Sequence, residues 1–395
     1  MFLAKRVLLG VALAVSSVVG SGPTYGVDRF VDAAATGPDH NGRSWCTAFL
    51  TLQDALEPGV LLSGDQVLVA QGTYYPDTTL LLDARDATFQ LVPNIRINGG
   101  YAGCAEPVPG VRDLKAYETI LSGDLARDDF LPGGGMDENA YHVITGDGNV
   151  GNATLDGVTI TAGNANGSSF ESRGGGVFNK NGAAPIFRNC TIRGNHATSG
   201  GGMFNQFSSP TLINCVIAEN VASAGAGLFD SADARLDGST IINCLIRDNQ
   251  ATGGQGGGVY AFGADTEILR STVVRNSASG GAGLFNWSSI LALKDCILWG
   301  NDDNGTVDQL AQLRDFNAVS TTVNYTCMQG WDGTLGGTEN FGDDPLFAVG
   351  PLGCYYLSQT LAGESADSLC VDAGSNTAAS YGLAGRTTRS DAVGD

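Results

Sequence analysis

The chain has 395 residues and a formal net charge of −20, from 41 acidic and 21 basic side chains. This excess of carboxylates argues against nucleic acid and anionic membrane surfaces as partners, and it is compatible with Ca²⁺ binding. Hydrophobic residues make up 43% of the chain and the 57 glycines follow no three-residue period, so the composition excludes both a disordered and a collagen-like protein.

Residues 1–26 are typical of a secretory signal peptide. Lys5 and Arg6 precede an apolar run over residues 7–19, and small residues follow it. The run is too short for a membrane span, and no later stretch reaches about 18 apolar residues, so no transmembrane segment is predicted. We therefore expect a secreted or cell-surface protein, exported to a compartment in which disulfides form.

Residues 27–62 are predicted to form an N-terminal cap. A short strand around Phe30 leads to a turn, and apolar residues from Trp45 to Leu56 then recur at helical spacing, with Ser44 as N-cap. A single short amphipathic helix here would cover the open end of an elongated repeat domain.

Residues 63–301 are predicted to be the body of the domain, irregular at first and regular over 174–301. The regular part repeats a unit of roughly 25 to 30 residues, each with a short apolar strand, a polar turn and a Gly-rich run. Such a unit cannot bury its own apolar face, but stacked copies can, so the repeat predicts a parallel β-helix of roughly nine to eleven coils. Equivalent inward positions form an apolar column at Ile192, Ile217, Ile246, Val273 and Leu298.

Three further columns have structural interpretations. Small side chains share the position two residues before the apolar column, at Cys190, Cys215, Cys244, Ser271 and Cys296. The residue before each of these is mostly Gly, Asn or Asp, the types best suited to a left-handed bend between two strands. Amides that can bond to one another along the axis form the last column, at Asn195, Asn220, Asn249, Asn276 and Asn301.

Residues 302–395 lose the repeat but keep strand-like runs, for example around Val323 and Tyr355. They are predicted to complete the last coils and to form a C-terminal cap. No closing strand or helix is evident before Asp395, so we expect a truncated C-terminal end.

The repeat resembles a known family. The pattern Ile192-x-x-Asn195-x-Ala197, followed by the Gly-rich run at 200–204, is similar to the repeat of polymorphic outer membrane proteins. Similar repeats occur in secreted bacterial β-helix proteins of the pectin-lyase-like class. The resemblance implies an all-β, right-handed parallel β-helix with three-sheet coils. It specifies the fold better than the activity, because the class contains enzymes, adhesins and proteins of unknown role.

The nine cysteines fall into two groups. Cys46 and Cys104 lie outside the repeat and could tie the cap to an early coil, and Cys354 and Cys370 could form a second bridge, with Cys327 left over. Neighbouring column cysteines would stack about 4.8 Å apart, within disulfide range. The favoured interpretation of these is buried thiols that act as small hydrophobic side chains. No C-x-x-C motif occurs, so zinc is not expected.

Candidate metal ligands are the acidic pairs Asp128–Asp129 and Asp302–Asp303. A Ca²⁺-dependent uronate lyase would need such carboxylates for the metal and a Lys or Arg as base. No group of three or more Asp at equivalent positions beside an Arg is evident, so turn chemistry is the simpler interpretation of both pairs. A glycoside hydrolase would need two carboxylates about 5 to 9.5 Å apart across a groove.

Trp287 and Trp299 fall in the last regular coils, and Trp331 follows them. Exposed aromatic rings stack on sugars, whereas packing at the end of the core is the plainer alternative.

We favour a secreted or cell-surface scaffold that adheres to a polysaccharide or cell-surface glycan, with no catalytic constellation evident. The alternative is a carbohydrate-active enzyme, above all a Ca²⁺-dependent polysaccharide lyase. Any active site is expected where the repeat breaks, before residue 160, within 161–173 or after 301.

Overall fold

A computed structural model describes residues 26–79, 81–129, 131, 134–148, 150–232, 238–350, 353–360, 363–371 and 373–376. Nearly all of the predicted signal peptide, and the chain after 376, lie outside the described residues. Within them the chain winds into a right-handed parallel β-helix, which confirms the predicted fold class. No helix in these ranges is long and apolar enough to cross a membrane.

Three long parallel sheets, named A, B and C, run along the axis. Sheet A contains, in spatial order, Asp28–Val31, Gln66–Ala70, Arg96–Tyr101, Thr154–Asp156, Ile186–Arg188, Thr211–Ile213, Thr240–Ile242, Asp265–Leu269, Ile290–Lys294 and Ser320–Asn324. Sheet B contains Gly72–Tyr74, Thr119–Ser122, Thr159–Thr161, Thr191–Arg193, Val216–Ala218, Leu245–Arg247, Thr272–Val274, Ile297–Trp299 and Cys327–Met328. Sheet C contains Phe89–Gln90, Ile144–Asp147, Val177–Lys180, Met203–Gln206, Leu228–Ser231, Val259–Phe262, Leu284–Trp287 and Leu313–Phe316.

A fourth, narrower sheet, named D, was not predicted from the repeat. Its six strands are Asn164–Ala165, His196–Ser199, Val221–Ala224, Gln250–Ala251, Ser277–Ala278 and Asp302–Asp303. The prediction of three-sheet coils is therefore incomplete. The cause is local: after each asparagine of the amide column the chain stays extended for two to four residues before the Gly-rich turn into sheet C.

The bend from sheet A to sheet B is made by one left-handed residue, as predicted. Asn189, Asn214, Asn243, Arg270 and Asp295 have φ values of 50°, 55°, 52°, 49° and 57°. Because one residue makes the corner, the strands on both sides can point apolar side chains into the same interior. The apolar column of sheet B lies there, and Ile192, Ile217 and Ile246 have no exposed surface.

The predicted amide column is a continuous hydrogen-bonded ladder. Asn195 Nδ2 donates to Asn220 Oδ1 at 3.0 Å, and Asn220 Nδ2 donates to Asn249 Oδ1 at 2.9 Å. The same bond continues at 2.9 Å through Asn276 to Asn301. All five side chains are fully buried, so the ladder satisfies polar groups that water cannot reach.

The column cysteines are free thiols that fill the core at the corner between sheets A and B. Cys190, Cys215, Cys244 and Cys296 are buried and unbridged. Each thiol donates to a main-chain carbonyl, for example Cys190 Sγ to Arg188 O at 3.1 Å. This agrees with the interpretation of these residues as small buried side chains.

The N-terminal cap differs from the single helix predicted over residues 45–56. A 3-10 turn at Trp45–Thr47 and an α-helix at Leu52–Leu56 are separated by an extended stretch. There Phe49 N donates to Phe30 O, and Phe49 O accepts from Asp32 N, both at 2.9 Å. These bonds to the chain around the first strand require extended backbone at Phe49. Residues 45–56 therefore cannot form one continuous helix.

Other short elements lie in the turns and at the C-terminal end. They are the 3-10 turns Ala84–Asp86 and Ser169–Ser172, the α-helix Gln309–Gln312 and an antiparallel hairpin of Phe347–Gly350 with Gly353–Leu357. The hairpin stands outside the parallel sheets, within the region 302–395 for which a C-terminal cap is predicted.

Candidate functional site

An acidic loop interrupts one early coil between the strands Thr119–Ser122 of sheet B and Ile144–Asp147 of sheet C. It occupies the place where later coils add a strand to sheet D. Its base is closed by a bond of 2.8 Å from Ala140 N to Gly123 O, and Asn164 N donates to Ala140 O at 2.8 Å. The loop is thereby anchored to the first strand of sheet D.

Four carboxylates of this loop converge. One oxygen each of Asp124, Asp128, Asp129 and Glu138 lies within 4.8 Å of the others. Asp124 is buried and organises the group, because it accepts from Asp128 N at 3.0 Å and from Asp129 N at 3.4 Å. One oxygen on each of the other three carboxylates is buried without a hydrogen-bond partner among the described residues.

The neutral side chain of Asn139 completes the group. It is fully buried and donates from Nδ2 to Asp129 Oδ2 at 2.9 Å, while its Oδ1 has no partner in the described chain. Burial, with the nearby negative charges, raises the pKa of Asp129 and of Glu138. Unpaired oxygens and mutual repulsion are what a hard cation relieves, so these residues fit Ca²⁺.

Arg85 links the acidic loop to the first strand of sheet D. Arg85 donates at 2.7 Å to Asn139 O, to Asn164 O and to Asn166 Oδ1, and its guanidinium lies 4.1 Å from the Tyr141 ring centre. No ion pair joins an arginine or lysine to the four carboxylates in the described ranges. The four carboxylates can therefore supply oxygen ligands to a cation, and in the described ranges none of them is paired with an arginine or lysine that could act as a base.

The structure brings the predicted Asp128 and Asp129 together with Asp124 and Glu138, which the sequence interpretation missed. The available signal was the density of acidic residues in one irregular coil.

The other predicted pair lies elsewhere: Asp302 and Asp303 form the last strand of sheet D, five strand spacings or about 24 Å from its first strand. Asp302 accepts from Gly305 N and Asp303 is 3.6 Å from Arg314 Nη1, as in an ordinary charged turn.

An aromatic strip lies on the outer face of sheet C. We use this name for Phe262, Trp287 and Phe316, the last residues of three successive strands in direct register. Neighbouring ring centres are 5.6 and 5.0 Å apart, with the ring planes inclined at 70° and 65°. Phe262 is 37% and Phe316 48% exposed, and Trp287 is half-buried between them. The strip is therefore open to solvent along three coils.

A second row of rings supports the aromatic strip. It consists of Phe178, Phe204, Phe229, Tyr260 and Phe285, also stacked coil on coil. Tyr260 lies 6.4 Å from Phe262, and Phe285 lies 6.4 Å from Trp287. Tyr260 and Phe285 are buried, so the strip is packed along one side against buried rings.

The predicted tryptophans separate in the structure. Trp287 belongs to the aromatic strip, Trp299 ends a strand of sheet B, and Trp331 packs against the hydrophobic core. The packing alternative therefore holds for Trp331. Sequence interpretation missed Phe262 and Phe316 as partners of Trp287.

The cysteines outside the repeat form one bridge. Cys46 and Cys104 are disulfide-bonded, with Cα atoms 4.9 Å apart, which ties the cap to the loop after Arg96–Tyr101 as the sequence suggested. The suggested bridge between Cys354 and Cys370 is absent, and both are free. The physical reason is that Cys354 is held on the exposed hairpin, whereas Cys370 folds back onto the last coil beside Cys327.

Comparisons with known proteins agree with the fold. A family model described as a right-handed beta helix region matches residues 138–312. No curated protein matches the chain.

Three solved structures illustrate the likeness, each at 13% identity. Pectate lyase Pel9A has a TM-score of 0.46 over 76% of this chain and 68% of its own. Pectin methylesterase PemA from Erwinia chrysanthemi has a TM-score of 0.38 over 84% of both chains, and the pectin methylesterase from Aspergillus niger 0.34 over 82% of both. At these values none of them transfers an activity to this chain.

Proposed function

We propose that the protein is an extracellular glycan-binding scaffold and that the aromatic strip contacts the sugar chain. The observation that carries this proposal is the exposed column of Phe262, Trp287 and Phe316 on one outer sheet face. The C–H face of a sugar ring packs well on an aromatic ring, and coil stacking places neighbouring ring centres 5.6 and 5.0 Å apart. A polysaccharide laid along the axis would meet one ring per coil.

The rest of the same column supports an extended ligand. In the preceding coils the aligned positions are polar: Asp147, Lys180, Gln206 and Ser231. They supply hydrogen-bond donors and acceptors in line with the rings, the combination that sugars need at their hydroxyl groups. Sheet register fixes the backbone at every position of this column, which limits the conformational entropy lost on binding.

A binding test can distinguish specific binding at the aromatic strip from non-specific adsorption. We expect Trp287→Ala to weaken binding to a polysaccharide retained by the wild type by roughly tenfold or more, and Trp287→Phe to recover most of it. Trp299→Ala is the matched control, since it removes a half-buried tryptophan from sheet B. Affinity electrophoresis over neutral and acidic polysaccharides measures the effect. Equal affinity for the two alanine variants, or no retention on any glycan, would contradict the proposal.

The acidic loop favours a second candidate function, a Ca²⁺-dependent polysaccharide lyase. Asp124, Asp128, Asp129 and Glu138 would hold the ion. When bound, such an ion increases the acidity of the proton beside a uronate carboxylate. A screen of polyuronates with and without Ca²⁺, followed by the ultraviolet absorbance of the unsaturated product, tests this function. No absorbance rise on any polyuronate would exclude it and leave the binding role.

A further inference from the structure

Cys327 differs from the column cysteines in the side of the sheet that it faces. It aligns with Ile297 and, through earlier coils, with Leu245 and Thr191. These positions alternate with the inward apolar column and are half-buried on the outer face of sheet B. Cys327 is nevertheless only 1% exposed. Something outside the β-helix must cover it.

The cover is the chain that follows the last coil. Cys327 lines a cavity of about 200 Å³ together with Phe341, Leu357, Cys370 and Gly374. Residues 363–371 and 373–376 reach this place by fixed contacts: Ser368 N donates to Ser358 O at 2.8 Å, and Ser375 Oγ lies 2.9 Å from Asp295 Oδ2. The returning segment is thus docked on the corner between sheets A and B.

Cys327 and Cys370 both line this cavity, and the Cys327 thiol donates to Asp343 O at 3.2 Å. We propose that Cys327 and Cys370 form a second disulfide, which fastens the C-terminal segment covalently to the last coil. The pair replaces the Cys354–Cys370 bridge expected from the sequence and accounts for Cys327, the cysteine left without a role there.

The other free cysteines are poor alternatives for physical reasons. The column thiols face the core, on the other side of the sheet from Cys327, and burial raises the pKa of Cys190, Cys215 and Cys296. Cys354 is exposed on the hairpin. Cys370 is half-buried and the neighbouring Cys327 thiol lowers its pKa, whereas Cys327 is only 1% exposed, so Cys370 is the thiol that an external oxidant reaches first.

The reaction is thiol–disulfide exchange with an oxidised dithiol oxidoreductase or oxidised glutathione. The Cys370 thiolate attacks one sulfur of the oxidant and forms a mixed disulfide, which releases the first thiol. Cys327, deprotonated, then attacks the Cys370 sulfur and expels the second. The two cysteines lose two protons and two electrons, and the oxidant gains them as its reduced thiols. A compartment that oxidises Cys46 and Cys104 supplies the same reagent.

Peptide mapping of the full chain, secreted from an oxidising host, tests the proposal. Free thiols are alkylated in denaturant before a non-reducing digest and mass spectrometry. We expect a linked peptide pair that contains Cys327 and Cys370, with Cys354 alkylated. Alkylation of both Cys327 and Cys370, or a link from Cys354 to Cys370, would overturn the proposal.

A second measurement examines what the bond does. Limited proteolysis of Cys370→Ser is expected to cleave the C-terminal segment at least several times faster than in the wild type. Cys354→Ser is the matched control and should behave as the wild type. A Cys370→Ser variant cleaved at the wild-type rate would show that the segment is not fastened by this bond. Reduction of the wild-type protein should reproduce the faster cleavage.

Discussion

Asn220 Nδ2 donates to Asn249 Oδ1 at 2.9 Å, while Asn220 Oδ1 accepts from Asn195 Nδ2 at 3.0 Å. Each amide is therefore both a donor and an acceptor, and the ladder spans five coils. Asn249 N also donates to Asn276 Oδ1 at 3.0 Å, so the ladder connects backbone as well as side chains. The ladder joins neighbouring coils and keeps them in register.

Removal of one rung should be costly. Asn249→Ala removes the Oδ1 that accepts from Asn220 N at 3.1 Å and from Asn220 Nδ2 at 2.9 Å, and the loss is about 1–3 kcal/mol for each donor left unsatisfied in the buried interior. Urea unfolding measures the loss. Gln250→Ala, at the exposed neighbouring position, should change stability by less than about 0.5 kcal/mol. Similar losses for the two variants would show that the ladder does not stabilise the fold.

The corner residues give a backbone prediction. Asn214 has φ of 55°, where a β-branched side chain is strained. Asn214→Val should destabilise the fold by roughly 1–2 kcal/mol more than Asn214→Gly, because both variants lose the amide but only Gly keeps the left-handed backbone at no steric cost. Thermal unfolding of the pair tests this, and equal midpoints would contradict the left-handed assignment.

The acidic loop predicts a Ca²⁺ effect on stability. Burial raises the pKa of Asp129 and Glu138, so the folded state holds their protons more tightly and loses stability as pH rises through the raised values. At pH 7 a bound cation would therefore stabilise the folded state by relieving the repulsion among these carboxylates. With a dissociation constant near 0.1 mM, 1 mM Ca²⁺ would stabilise the fold by about 1.4 kcal/mol.

Calorimetric unfolding with Ca²⁺ and with chelator measures this gain. Asp129→Asn should remove the Ca²⁺ response, whereas Asp302→Asn should keep it. A response retained in Asp129→Asn would place the ion elsewhere, and no response in the wild type would leave the loop a purely structural feature.

His142 predicts the opposite pH dependence. Burial lowers its pKa from 6.5 to about 4, and its Nδ1 lies 3.0 Å from Gly174 O. The unfolded chain binds the proton more tightly, so this contribution is complete above about pH 6.5 and is lost as pH falls toward 4. The loss is at most about 3 kcal/mol. A His142→Gln variant should lack this component in urea unfolding between pH 7 and 4; an unchanged pH profile would rule it out.

The repeat made most of the fold predictable. In every copy the asparagine follows the apolar residue by three positions, as in Ile192–Asn195 and Ile217–Asn220, and successive copies stack in space. The cap was less predictable, because Phe49 is held extended by a bond to Phe30 that no local pattern encodes. Sheet D was missed because its strands of two to four residues have no alternation long enough to recognise.

The candidate sites were predictable only in part. Asp128 and Asp129 stand out as adjacent acids, but Glu138 joins them through a loop closure between Ala140 and Gly123 that has no periodic signal. Phe316 follows the helix Gln309–Gln312 outside the regular repeat, so its alignment with Trp287 depends on three-dimensional register.

The amide ladder also gives the solenoid a direction. It begins where Gly163 N donates to Asn195 Oδ1 at 3.0 Å, and it stops where Asn301 Nδ2 donates to Gln312 Oε1 at 2.6 Å. Gln312 Nε2 in turn donates to the carbonyl oxygen of Asn301 at 3.1 Å, so the ladder ends at Gln312. Because every interior rung has the same donor and acceptor, duplication of one whole repeat would insert a new rung and leave both terminators unchanged. The length of such a protein can therefore change in steps of one coil without any redesign of its ends.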